Sequence, residues 1–204
     1  MSFFTEDDFK RIEKSILEAE SKTDAEIVAV FARRSDNYNY IPTLVAAVVA
    51  LVTPSFLMLT PYWLEMGDLL LIQAGLFLCL GLLLRLKPFM SLIIPKFTKA
   101  RRCNLMARYQ FLENNLHTTK DNLGVLIFVS ELERQVRILV DHGVAEKFDN
   151  KVWEKDIDNF IQKIRCGHSC DGFIDCITNV GKQLATQIPS TYKKNELCNK
   201  LVVI

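Results

Sequence analysis

Ile41–Thr60 reads IPTLVAAVVALVTPSFLMLT and Leu69–Leu84 reads LLLIQAGLFLCLGLLL; neither block contains a charged residue. The reading of this pair decides the fold. Twenty residues at helical rise reach about 30 Å, the thickness of a bilayer core. The second block is shorter, about 24 Å as a helix, and Arg85 at its end can snorkel to extend it. Pro54 in the first block is of the kind membrane helices tolerate. A buried hairpin in a soluble core is the alternative, but two uncharged blocks of this length in tandem are rare in soluble folds. The expectation is a transmembrane helical hairpin over about 41–60 and 68–86.

Charge around the hairpin is uneven, although the chain is near neutral with 25 basic and 24 acidic residues among 204. The tip, PYWLEMGD, carries Glu65 and Asp68 without Lys or Arg, and its Tyr62 and Trp63 suit an interface. Arg33 and Arg34 precede the first block. Arg85, Lys87, Lys96, Lys99, Arg101, Arg102 and Arg108 follow the second. Cations at both outer ends predict cytoplasmic N- and C-termini and a multi-pass protein of the inner (plasma) membrane, with the lipid bilayer as a partner. A nucleic-acid partner is not expected, since the global basic excess is absent and topology with anionic headgroups accounts for the cluster. The octet Pro88–Pro95 is too short to cross and reads as interfacial.

Outside the hairpin about 145 residues remain, enough for one domain and too few for two. The N-terminus is acidic and amphipathic, unlike a signal peptide. The six cysteines are therefore read as reduced thiols of a cytosolic compartment. Thr5, with Asp8 three residues on, begins a helix whose stripe is Phe9, Ile12, Ile16 and Leu17. Glu26–Arg33 reads as a strand. After the hairpin, Leu105, Tyr109, Leu112 and Leu116 recur at helical spacing over Phe97–Leu116. Leu123–Ser130 is the apolar run of a buried strand, ELER a turn, and Gln135–Asp141 the partner strand. Gly124 and Gly143 read as turn residues. Two helices follow, Val152–Arg165 and Phe173–Ile188, and the final LVVI docks or forms an edge strand. One helix and one strand before the hairpin cannot bury both strand faces. The expected fold is thus α/β (α+β): a mixed central sheet packed by helices, one split domain over 1–40 and 97–204 interrupted by the hairpin region 41–96.

The segments TDAEIVAVF (Thr23–Phe31), GVLIFVSELERQVRILVDHGV (Gly124–Val144) and NELCNKLVVI (Asn195–Ile204) resemble the TPM domain family, some bacterial members of which carry a membrane hairpin inside the domain. The resemblance implies a mixed sheet packed by helices. It implies no single activity: members are variously proposed to be phosphatases, to bind calcium through acidic residues, or to assist assembly or repair of membrane complexes. Glu26 and Asp141 match acidic positions of the pattern. His142 stands where the family often has a basic residue, which weakens transfer of a phosphate-contacting role.

Candidate chemistry is sparse. Asp24, Glu26, Asp121 and Asp141 fall at strand ends, where converging carboxylates would suit calcium or magnesium; polar strand ends meeting water are the plainer explanation, and no DxDxDG loop is present. Arg134 and Arg137 flank the turn as candidate anion contacts, or as solvated charges. Cys166, His168, Cys170 and Cys176 lack regular zinc spacing and read as a loop with ordinary thiols. No P-loop, GxGxxG or Ser-His-Asp order occurs. Two functions follow as expectations: a binding or assembly module for a membrane protein complex, or a divalent-metal-dependent phosphatase acting on phosphate esters.

Overall fold

A computed structural model describes residues 4–59, 65–86, 89, 93–191 and 197–204. Half of the hairpin tip (61–64), half of the Pro88–Pro95 octet and part of the C-terminal tail (192–196) lie outside the described residues. The chain separates into two compact units, Met1–Ser35 with Ala100–Ile204, and Asp36–Lys99.

The first unit is a mixed α+β domain. Its sheet contains β1 (Glu26–Ala32), β2 (Gly124–Ser130), β3 (Gln135–Val140) and β4 (Val202–Val203), in the order β3-β2-β1-β4. β1 runs parallel to β2 and to β4, whereas β2 and β3 form an antiparallel hairpin. The strand from before the apolar blocks therefore lies in the sheet interior, between strands from after them. Every residue of β1 and β2 is buried, which explains why both read as continuous apolar runs. The final LVVI supplies the edge strand β4.

Period-2 alternation sends the two faces to separate cores. Ile27, Ala29, Phe31, Val125, Ile127 and Val129 pack with α1 (Glu6–Glu20), α5 (Glu154–Arg165) and α6 (Ser169–Gln187). Val28, Val30, Ala32, Leu126 and Phe128 pack with α4 (Lys96–Glu113) and Leu116. Helix α1 begins with a capping box, in which Thr5 and Asp8 each satisfy the other's backbone N–H. The last of the helices lies close to the first: a Cβ at Gly181 would meet that of Ala19 at 2.6 Å.

The apolar stripe of α4 points away from the sheet: Cys103, Ala107 and Gln110 are buried, while Leu105, Tyr109 and Leu112 are exposed. Small residues bring α4 near the sheet, so its larger side chains point away. Gly124 and Gly143 lie in β2 and in a helical turn, His142–Ala145, not in reverse turns. A Cβ would meet the Leu116 carbonyl oxygen at 2.5 Å in the first case and that of Asp121 at 2.3 Å in the second. Close approach, not backbone freedom, is why glycine stands there. Finally, Ser169 and Cys170 are not in a loop but in the first turn of α6.

The second unit contains α2 (Tyr40–Leu57) and α3 (Met66–Leu83), which pack against each other. Each is 18 residues and long and apolar enough to cross a membrane. A core helix of a soluble protein would be mostly buried; here the apolar windows are 17% and 0% buried. Pro54 sits inside α2, and the preceding Thr53 hydroxyl donates to the Val49 carbonyl at 2.7 Å. That bond satisfies the hydroxyl without water; the carbonyl that Pro54 leaves without its helical donor is that of Ala50.

Candidate functional site

The sheet has two polar ends. At the first, β1 and β2 start and β3 finishes. Glu26 N–H donates to the Leu123 carbonyl at 3.1 Å, and Asp141 N–H donates to the Gly124 carbonyl at 2.9 Å. Glu26 pairs with Gly124, and the β2–β3 register continues that row to Asp141. Side-chain alternation puts Glu26 and Asp141 on the α4-facing side of the sheet, one on each side of Gly124. With neighbouring strands about 4.8 Å apart, their Cα atoms lie roughly 10 Å apart. The Leu116 carbonyl covers Gly124 between them. One carboxylate oxygen of Asp141 accepts from His142 N–H at 2.8 Å, capping the helical turn. The other is buried without a hydrogen-bond partner among the described residues.

The remaining predicted acids diverge from this pair. Asp24 turns toward the segment after α6, accepting from Thr191 N–H at 2.9 Å and from its hydroxyl at 2.5 Å. Asp121 is exposed in a left-handed conformation, φ 63°, and contributes its carbonyl to the contact with Gly143. Among the described residues, no three His, Cys, Asp or Glu side chains are grouped to hold one metal ion.

Beside Glu26 lies an acid that sequence reasoning missed. Glu20, the last residue of α1, accepts from Ile27 N–H at 2.8 Å and from the Asn199 amide. Ile27 N–H points away from β2, where β4 is too short to reach, so the carboxyl stands in for a ladder partner. Burial, with Glu26 adding like-charge repulsion, pushes Glu20 up to about 8. Glu20 follows Ile12 and Ile16 at helical spacing, so the period puts it on the apolar face of α1, and a carboxyl in line with that stripe is the sequence signal that could have found it.

At the second end the chain leaves β1 for the apolar helices. Ser35 N–H donates to Glu133 Oε1 at 3.0 Å, and Ser35 and Ser130 hydroxyls bond at 2.9 Å. Ser130 also donates to the other oxygen of Glu133. Cys103 of α4 is wholly buried beside this group. Burial raises its thiol to about 11, against the opposing pull of the Arg137 guanidinium and Ser35. The thiol is therefore protonated at neutral pH and a poor nucleophile.

Arg137 thus belongs to the second end, not to the acids. It lies four residues along β3 from Asp141, roughly 13 Å at strand rise. Arg134 is exposed in the turn, at φ 52°. Neither is brought to the carboxylate row. Of the thiols beside α6, Cys166 is exposed, and burial together with Asp8 raises Cys170 to about 12.

Comparison with known proteins bears on the domain. No curated protein matches the chain. Among solved structures, the NMR structure of the BA42 protein from the psychrophilic bacterium Bizionia argentinensis is similar: TM-score 0.61, 17% identity, over 99% of this chain and 96% of that one. At that identity the likeness speaks to fold alone. The TPM domain family model matches residues 89–183, which take in α4, the β2–β3 hairpin, α5 and most of α6. Residues 89–183 of this chain are thus similar to the TPM domain family, and the fold as a whole is similar to that of the BA42 protein.

Proposed function

We propose that this protein is a membrane-anchored TPM-domain module that binds a membrane-associated partner or complex on the cytoplasmic face of the plasma membrane. The observation that carries the reading is the origin of the sheet's interior strand. β1 precedes two mostly exposed apolar helices, and its neighbours β2 and β4 follow them. Two spans return the chain to the side it left, so a split domain of this kind is compatible with a hairpin that crosses the bilayer. The cation-rich outer flanks and acidic tip support cytoplasmic termini. Full-length protein carrying a photocrosslinking residue at exposed domain positions such as Lys147 or Lys155 tests the reading in growing cells. A discrete adduct to one membrane protein from a restricted set of positions is expected. Absence of any position-specific adduct contradicts it.

A second reading, a phosphatase using calcium or magnesium, is supported by the shared face of Glu26 and Asp141 and by the unpartnered buried oxygen of Asp141. It draws its phosphate contact from groups other than Arg134 and Arg137. Asparagine is as good a helix cap as aspartate, so Asp141→Asn separates chemistry from folding. Metal-dependent hydrolysis of p-nitrophenyl phosphate, abolished in this variant, is the expected result; hydrolysis that is absent, or unchanged by Asp141→Asn, rules the reading out.

A further inference from the structure

We propose that the solvent-facing side of α4 docks on a surface of anionic lipid headgroups. The inference rests on the membrane anchoring proposed above. At 100° per residue, Arg101, Leu105, Arg108, Tyr109 and Leu112 fall within an arc of about 100°. The buried residues Cys103, Ala107 and Gln110 occupy the opposite side against the sheet. Leu105, Tyr109 and Leu112 are 49%, 57% and 57% exposed, an expensive arrangement for a helix surrounded by water.

Charge selects the occupant. From Lys96 to Leu112 the helix holds five cations and no acid. Arginines pair with phosphate oxygens, while leucines and a tyrosine beside them suit the shallow headgroup boundary. In sequence, only residues 84–95 separate the end of α3 from the start of α4, a short tether from the proposed membrane span. A second copy of this face would instead bring two more arginines and no acid to neutralise them.

The test uses the full chain in vesicles, with Cys79, Cys166, Cys170 and Cys198 replaced by Ser and a spin label placed at Tyr109→Cys. Labels at Leu71→Cys in α3 and at exposed Lys147→Cys are controls. In vesicles containing phosphatidylglycerol, the label at 109 should be relaxed more by oxygen than by a water-soluble nickel chelate. In phosphatidylcholine alone, or with Arg101→Gln and Arg108→Gln, the docked fraction relative to undocked should fall on the order of tenfold. An aqueous signal at 109 with a lipid signal at 71 overturns the docking face and leaves the anchor standing. Aqueous signals at both positions overturn anchor and docking together. A label at 109 shielded from both reagents means that protein covers the face, and also overturns the proposal.

Discussion

The two ends of the sheet are closed by different means. Where the chain departs for the apolar helices, side chains from distant parts of the sequence bond one another: Ser35 to Ser130 and Glu133. At the far end, the Leu116 and Asp121 carbonyls pack on Gly124 and Gly143, and carboxylates before β1 accept from the C-terminal segment, Asp24 from Thr191 and Glu20 from Asn199. The difference teaches that the two flanks of a split domain are tied at both ends of β1, by a buried Ser-Glu cluster next to the interruption and by carboxylates that accept from the C-terminal segment at the far end. It also separates a polar cluster with a structural purpose from one with an unspent oxygen.

The largest effect is expected at the interrupted end. Glu133→Ala removes two bonds to a buried carboxylate, each worth about 1.5–3 kcal/mol. A loss of about 3 kcal/mol in urea unfolding of the detergent-solubilised protein should follow, with a smaller loss for Glu133→Gln. If Glu133→Ala unfolds like the parent, that cluster does not tie the halves together. At the other end, Gly124→Ala forces a methyl against the Leu116 carbonyl, itself held by the Thr119 hydroxyl at 3.0 Å. Overpacking of this sort costs about 2 kcal/mol; a neutral result would mean that the carbonyl can retreat.

A subtler effect is pH-dependent. Glu20 titrates near its ordinary value of 4.5 when unfolded and at about 8 when folded. Between those values the folded state holds the extra proton, so stability from this group falls as pH rises from about 4.5 to about 8 and is level above. Glu20→Gln keeps a neutral acceptor for Ile27 N–H and should flatten that slope in thermal denaturation across pH 5 to 8. An unchanged slope would assign it to other groups. The smallest effect is Arg134→Gly in the β2–β3 turn. Glycine relieves the cost of φ 52° at the expense of unfolded-state entropy, leaving a change of no more than about 0.5 kcal/mol.

The sequence carried the strands well where they were long and buried. GVLIFVS and QVRILV could be paired because ELER between them has no other use, and the Thr5–Asp8 box marked its helix start to the residue. β4 was legible only as an apolar end, since a two-residue strand has no period. In α4 the helical stripe was legible but its direction was not: period alone cannot say whether leucines or a Cys-Ala pair faces a sheet. The acids were found by type and strand position, and Glu26 and Asp141 do share a row. Asp24 could not be separated from them without knowing that Thr191 returns beside it. Glu20 was legible as a charge in line with the apolar stripe of α1, but what it meets there was not, since its partners are a backbone N–H and Asn199, far along the chain.

The account turns on the hairpin crossing a membrane with one domain assembled from both of its flanks. Cysteine labelling in intact cells tests this most directly. Cys103 is fully buried and cannot report the domain side, whereas Cys166 is exposed. With Glu65→Cys at the tip and Cys166 as the single reporter in a second variant, a membrane-impermeant maleimide should label position 65 from outside and Cys166 only after permeabilisation. Labelling of Cys166 in intact cells with position 65 protected would reverse the orientation. Identical behaviour of the two sites would contradict a crossing hairpin altogether.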